Sequence, residues 1–577
     1  MSSFPISTTS GYMSKVMTLL AVSRVLLRVT PVATARVAHT DDALAKALAA
    51  VVVDARQQPP SRHVAGRSSS AVAISPLGGV RFFSSDPKAA GDAFPESSFL
   101  QSIDLSHPNA ADRKKLSKLI QEVVKTKANT GDFVPRVVIA NLCAKYRQLN
   151  IEEKKQFLLI LARDLHVDTA VLQQSLEFFS ESVARVQQKD NASAIDWQHE
   201  NIERYLRTFR NLRQALSPLY ETFFQQILSQ REGGMLFLVH LRADLLQVLR
   251  KHTSESAEAA ALRSLDVSLK NFLASWFSVG FLNLERVTYE KSSGQLLEKI
   301  IRYEAVHPVG TIIELKRRLG KGRRCFAFFH PSVPDEPLVF VHVALVKEIA
   351  SSMQYIRDET ELMDDEHDAK AAIFYSISST QKGLQGVDLG NFLIKEVAKA
   401  LKAEHHQLDT FATLSPIPQF VPWLETQRNS VDATLVSEAR LAKLQSALSN
   451  HHQGAAAQSL LVNQVLSALA IENWFEDAEL SAALKPILLK LGAHYIFLEK
   501  KRGKALCPVS NFHIRNGAIF ERINWLADPS PKGLHQSAGM MVNYKYDLKQ
   551  VEANNENYLL QNIIPIGAQP QQILDQV

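Results

Sequence analysis

The stretch FATLSPIPQF, residues 411 to 420, brings strand-forming residues up to a hydroxyl, Ser415, and then to Pro416-Ile417-Pro418. A residue before proline is driven toward extended backbone, and each proline fixes φ and withdraws a ladder donor. A strand must therefore stop here with its last side chain rigidly aimed. A hydroxyl held that way can serve a site; an ordinary turn uses the same residues, and the ten residues leave both readings open. A second segment, AIFYSISSTQKGLQGVDLGNFLIKEVAKALK, runs a buried strand into a loop with Gly383, Gly386 and Gly390 and then directly into an amphipathic helix. Glycines let the backbone approach a phosphate, and free N–H groups at a helix start favour an anion. The loop is neither a Walker loop nor GxGxxG, and a tight strand-to-helix connection accounts for it equally well. Ser376 and Ser378 end the strand facing that loop, where they can touch a substrate or cap the loop.

Other chemistries find less support. Cys143, Cys325 and Cys507 are too widely spaced for a disulfide framework or a metal pattern, which suits a reducing compartment. His405-His406 and His451-His452 lie in polar helix-end or loop contexts without CxxC or HExxH spacing. The net charge of +6 invites a nucleic-acid reading, but the first 85 residues carry nine Lys or Arg against three acids, so the whole excess resides there. The remainder is formally neutral, and polyanion binding loses its main support. No apolar run is long enough to span a membrane.

Residues 1–85 open with forty residues free of acids, rich in Ser and Thr and dotted with arginines, the composition of an amphipathic mitochondrial presequence. VRFFSS (80–85) resembles a matrix-protease site, with cleavage expected near Phe83/Ser84; a disordered tail and a secretory signal are the competing readings. Asp575-Gln576-Val577 is not a Ser-Lys-Leu peroxisomal address.

From 96 to 277 the pattern is helical almost throughout, and an all-α domain of roughly six to eight helices is expected, with helix packing and subunit contact as its roles. In DRKKLSKLIQEVVKTK, Leu116, Leu119, Ile120, Val123 and Val124 trace one apolar face. Asn150 with Glu153 makes a capping-box start, and Asp168 can cap the next helix. After Trp276-Phe277, β-rich runs appear at 325–330, 338–346, 372–378, 409–415 and 518–526, with helical periodicity returning over 421–500 as an insertion. An α/β (α+β) catalytic domain is expected over 278–577. The acidic run 358–370 reads as a solvated loop; the basic run KRRLGKGRR (316–324) reads as a solvated turn or a contact for phosphates. Tyr544 and Tyr546 alternate as in a strand and read as core packing.

Strand, glycine loop, helix and next strand also describe the coenzyme-A-binding core of the acetyltransferase (GNAT) fold. QGVDLG (385–390) resembles its loop motif at Gln385 and Gly390, while Asp388 stands where the first motif glycine is expected. Beyond the fold, FLNLERVTYE, EAVHPV, EPLVFVHVALV, GLQGVDLGNFLIK, TLSPIPQF, NFHIRNGAIFERINWLAD and MMVNYKYDL together resemble the malonyl-CoA decarboxylase family, over essentially the whole chain after the presequence. The resemblance implies a helical oligomerisation domain before an acetyltransferase-like catalytic domain, and a homo-oligomer built as a dimer of dimers. It implies Ser415 and His513 as the catalytic pair, serine as proton acceptor and histidine as donor. It also implies a coenzyme-binding loop at Gln385, Gly386, Val387, Asp388, Leu389, Gly390 and Asn391. Malonyl-CoA is then the substrate, yielding acetyl-CoA and CO2 in fatty acid metabolism in the mitochondrial matrix, with no metal or redox cofactor. The cysteine that mammalian members use for intersubunit linkage has no counterpart in YEKSSGQLLEKI. Two other classes stay in view, an acyl-CoA N-acyltransferase of the same fold and a non-catalytic helical adaptor that binds an acyl-CoA or a partner protein.

Overall fold

The computed structural model describes residues 114–118, 120, 133–188, 191–230, 233–251, 256–362, 365–387, 389–428, 436–451 and 460–576. The expected presequence and its cleavage point, and Asp388 of the glycine loop, lie outside the described residues.

From residue 133, helices run in succession among the described residues: α1 Phe133–Gln148, α2 Ile151–Asp164, α3 Thr169–Val186, α4 Ile202–Ala215, α5 Leu219–Gln230, α6 Gly234–Lys251 and α7 Ala257–Trp276. Their starts follow local chemistry. The Asn150 side chain accepts from the Glu152 and Glu153 N–H groups while Glu153 reaches back, a complete capping box, and Asp168 caps α3. Leu116 and Ile120 are buried; Leu119, Val123 and Val124 lie outside the described residues. The region is not purely helical, because β1 Gln187–Gln188 and β2 Asn191–Ile195 form an antiparallel hairpin between α3 and α4. The polar run QQKDNASAID lacks the apolar periodicity that would continue a helix.

The second part is built on an eight-stranded sheet. Its strands are β3 Asn283–Val287, β4 Arg323–Phe329, β5 Val339–Val346, β6 Ala371–Ser379, β7 Thr410–Thr413, β8 Ser415–Pro416, β11 Ile519–Asn524 and β12 Met541–Lys545. A separate small hairpin joins β9 Lys500–Lys501 to β10 Lys504–Ala505. The order is β11-β12-β7-β6-β5-β4-β3, with β8 paired to β12, and every pairing is antiparallel except β6 with β7. Both faces are covered, so β4 and β5 are buried at every residue. Phe326 and Phe328 point into the main core, which is continuous with that of α1, α2, α5, α6 and α7, while Cys325, Ala327 and Phe329 face a smaller cluster under α8 Gly294–Tyr303 and α9 Ile312–Arg318. α10 Met353–Leu362 covers another part of that same face at Ile356.

Only the parallel pair needs a crossover, supplied by the glycine loop and α11 Gly390–Glu404. The insertion over 421–500 is helical as the periodicity indicated, with α12 Phe420–Thr426, α13 Glu438–Asn450, α14 Leu461–Leu469 and α15 Ala478–Phe497, and α16 Pro508–Arg515 follows it. No helix among the described residues is long and apolar enough to cross a membrane.

Two charged runs behave differently from a solvated loop or turn. Residues 358–362 of the acidic stretch are helical, the last part of α10, and Glu366 accepts from the Arg324 guanidinium at 2.7 Å, which also holds its carboxyl down at about 2. Arg323 and Arg324 are buried in β4, and Arg324 reaches Glu404 at 3.0 Å as well. His405 is buried beside the same guanidinium at 3.1 Å. Sequence periodicity does not reveal that these oppositely charged runs meet across the fold.

Candidate functional site

β6 and β7 run in parallel register only from Ala371↔Thr410 to Phe374↔Thr413, and then part. Leu414 makes one last backbone bond to Phe374 at 3.2 Å; beyond it β6 continues to Ser379 while the other strand turns away at Ser415-Pro416 to pair with Val542 and Met541. β6 also carries an extra residue, Tyr375, opposite the His342–Val343 step, a bulge that re-aims Ser376. The gap between the parted strands is a cleft of about 560 Å³. Ser376 and Ile377 of β6, Gln385 to Val387 and Leu389 of the loop, Ser415, Pro416 and, from α16, His513 all line it. The prolines thus do what their φ restriction dictates, though the strand stops at Thr413, two residues earlier than expected, and Ser415 belongs to the short bridge that follows.

His513 Nε2 lies 3.1 Å from Ser415 Oγ, and both side chains are buried. Nδ1 lies 2.8 Å from the Tyr546 hydroxyl. Burial pushes the Tyr546 phenol well above its ordinary value, so it keeps its proton, and because Ser415 gives its own proton to Thr413 and takes one from the ring, the phenol donates to Nδ1. The ring proton is then on Nε2 and points at Ser415 Oγ, whose own proton goes to Thr413 Oγ1 at 2.9 Å. Thr413 Oγ1 is fixed in turn by the Tyr544 N–H at 3.1 Å. Burial lowers the His513 pKa to about 3, so the imidazole is neutral near pH 7. The ring stacks on Tyr544 with centroids 4.7 Å apart, and the Tyr544 hydroxyl is held by Ser510 at 2.5 Å. The result is a rigid, directional chain of hydrogen bonds ending at a serine that faces the cleft.

Ser376 lines the cleft, but its hydroxyl is committed: it donates to both oxygens of Glu304, at 2.7 and 2.8 Å. Ser378 accepts from the Ala305 N–H at 3.2 Å and ties the same connection to β6. Burial alone would raise the Glu304 pKa; nearby His342, Ser376 and the His307 and Val306 N–H groups outweigh it and leave the carboxyl below its usual value. Ser378 therefore anchors the 304–307 connection and is not among the cleft-lining residues. In the loop, Gly386 has φ +78°, a left-handed conformation that glycine adopts without strain. Gly390 and Asn391 open α11. The basic run 316–324 contributes none of the described residues lining the cleft. Arg318 instead donates to the His307 carbonyl at 2.6 Å.

Sequence reasoning overlooked Thr413, Glu304 and the role of Tyr546. The signal for Tyr546 was present, since it shares a strand face with Tyr544, but alternation alone cannot tell a packed phenol from one bonded to an imidazole. It also assigned the helices nothing chemical. Yet buried Arg242, on the apolar face of α6, donates to the Gly383 and Gln385 carbonyls at 2.6 and 2.9 Å and pairs with Asp266 at 2.8 Å. A charge inside the run LFLVHLRADLLQVL was the available clue.

Comparisons with known proteins agree on one family. Residues 280–575 match the family model for the malonyl-CoA decarboxylase C-terminal domain, and residues 181–277 match that for its N-terminal domain. The goose (Anser anser anser) protein called mitochondrial malonyl-CoA decarboxylase is 40% identical over 426 residues, 72% of this chain and 78% of that one. The mouse protein of the same name is 44% identical over 360 residues, 60% and 69% of the two chains. Among solved structures, malonyl-CoA decarboxylase from Rhodopseudomonas palustris superposes with a TM-score of 0.66 at 33% identity, covering 80% of this chain and 99% of that one. The Agrobacterium vitis enzyme gives 0.65 at 30% identity, covering 80% and 100%.

Proposed function

The chain belongs to the malonyl-CoA decarboxylase family, and from that premise we infer that it converts malonyl-CoA to acetyl-CoA and CO2 in the cleft between β6 and Ser415. The observation that carries the site assignment is the 3.1 Å contact of His513 Nε2 with Ser415 Oγ inside a cleft walled by the glycine loop. Breaking the bond to the carboxylate carbon leaves its electron pair in a thioester enolate, and the departing group is CO2. The site has to orient the carboxylate, favour the enolate and return one proton to carbon. Ser415 can hydrogen-bond the carboxylate by turning its proton to it from Thr413 Oγ1. A carboxylate beside the imidazole favours its charged form, so substrate raises the His513 pKa from its buried value toward one suited to proton donation. The pair supplies the proton to carbon and is reprotonated from solvent; none of these steps calls for a metal or redox cofactor.

The parallel β6–loop–α11–β7 unit with parting strands supports an acetyltransferase-like reading of the sheet, with the 385–391 loop at the coenzyme. Assembly as a dimer of dimers and a matrix location, after removal of residues up to about Ser84, complete the proposal. The relatives named mitochondrial support the organelle. Light scattering of the purified protein and sequencing of the mature N-terminus check these two points.

The deciding assay is purified protein with malonyl-CoA alone, following CO2 and acetyl-CoA. An N-acyltransferase would need an amine acceptor and leave the carboxylate intact. Ser415→Ala and His513→Asn are each expected to lose at least ~10²-fold in kcat while coenzyme A still binds, the usual contribution of a positioned acid–base group. Near-normal turnover in both variants would overturn the pair.

A further inference from the structure

The glycine loop is held by the helical layer as much as by the strand it follows. Arg242 of α6 grips the Gly383 and Gln385 carbonyls, and Gly383 sits so close to α6 that a Cβ there would run into the Val239 carbonyl oxygen. Residues of α6 and α7 are thereby packed directly against the loop. Among them is Lys270 of α7, half-buried, with Nζ 3.2 Å from the point a Cβ on Gly386 would occupy. Asp266, one turn earlier on α7, is taken by Arg242 at 2.8 Å, and among the described residues no carboxylate pairs with Lys270. Its ammonium therefore stands uncompensated against a cleft-lining glycine, and Lys382 adds a second cation to the cleft wall.

The cleft also has a direction. Ser415 and His513 close it near Phe374, and the loop meets it near Ser379, five residues along β6 and so roughly 16 Å away at a strand's rise of ~3.3 Å per residue. That is the scale of an extended pantetheine arm, which puts the nucleotide end of an acyl-CoA at the loop when the acyl end is at the dyad. We propose that Lys270 is a specificity-determining residue that binds a phosphate of the coenzyme's nucleotide portion, so that the helical layer forms part of the substrate site. The proposal rests on the acyl-CoA reading above.

The test compares wild type, Lys270→Ala and Lys270→Arg on malonyl-CoA and on malonyl-pantetheine, which keeps the reacting end and lacks the nucleotide. Lys270→Ala should raise KM for malonyl-CoA about tenfold with kcat retained, the scale of one charge-assisted hydrogen bond, and Lys270→Arg should restore most of it. KM for malonyl-pantetheine should be the same in all three. An unchanged KM for malonyl-CoA, or an equal rise with malonyl-pantetheine, would overturn the proposal, the latter by showing that the loop itself had been disturbed. Calorimetry with coenzyme A reads the same tenfold loss without turnover. A wild-type protein that releases no CO2 would therefore reject decarboxylation while Lys270 was still being judged on affinity.

Discussion

Tyr546 and Ser415 grip opposite nitrogens of one imidazole: the phenol lies 2.8 Å from His513 Nδ1, and the serine 3.1 Å from Nε2. The phenol therefore selects the tautomer that presents an N–H to the serine. Tyr546→Phe keeps the ring and its packing but leaves Nδ1 buried without a donor, an omission that ordinarily costs about 1–3 kcal/mol. The imidazole is then free to take the other tautomer. Turnover should fall by roughly 10-fold to 100-fold with KM nearly unchanged, as expected of a group that acts through the acid–base residue. Steady-state kinetics decides it, and a variant with full kcat would show that the phenol does not set the tautomer.

The depressed histidine pKa values carry a stability signature. His513, at about 3, and His342, at about 4, are both lowered by burial from 6.5. Between those values and 6.5 the unfolded chain binds protons that the folded chain refuses, so stability is complete above 6.5 and drains away as pH falls. Tm should drop steadily from pH 6.5 to pH 4. His513→Gln, which cannot charge, should give a shallower slope over that window, and a slope as steep as that of wild type would count against His513 as one of the acid-labile groups.

How much of this was legible beforehand depends on the range of the interaction. Short-range rules served well: the Asn150 capping box, the buried β4–β6 runs, the glycine loop into α11 and the arrest of a strand before Pro416 all follow from local preferences. The insertion over 421–500 announced itself by periodicity. What stayed hidden was pairing between distant segments. Nothing local ties Glu304 to Ser376, Arg242 to the Gly383 carbonyl or Arg324 to Glu366, since each partner merely looks like a solvated or capping residue until the fold closes. β3 was overlooked because only Val287 of its five residues is buried, so no alternation marks it. For the dyad, the sequence showed a fixed hydroxyl, and His513 stood out only through the family's motif.

Glu304 is expected to be a keystone of the cleft's floor. Its carboxylate takes the Ser376 hydroxyl twice and the Val306 and His307 N–H groups, at 2.8 and 3.0 Å. Glu304→Ala would strand all of these donors away from water, and removing one member of such a buried charged network typically costs about 3–5 kcal/mol. Urea denaturation should show a correspondingly lower midpoint. Glu304→Gln, which retains one acceptor oxygen, should recover part of the loss; equal midpoints for the Ala variant and wild type would mean that the network is not structural.

The contact between loop and helix makes a final, sharper prediction. Gly383 packs against the α6 backbone at Val239, and its carbonyl accepts from Arg242. A methyl group at 383 meets a main-chain oxygen that has no rotamer by which to move aside, so the loop has to lift from α6 and loosen its bond to Arg242. Overpacking of this kind generally costs about 1–3 kcal/mol, and here the displaced segment is the wall of the cleft. Gly383→Ala should therefore raise KM for malonyl-CoA by roughly tenfold or more, in line with the energy of the displaced contacts. Ser415 and His513 lie on other segments, so a malonyl-pantetheine substrate that makes little use of the loop should keep most of its kcat. Equal KM values for Gly383→Ala and wild type would show that the loop binds coenzyme without help from the helical layer.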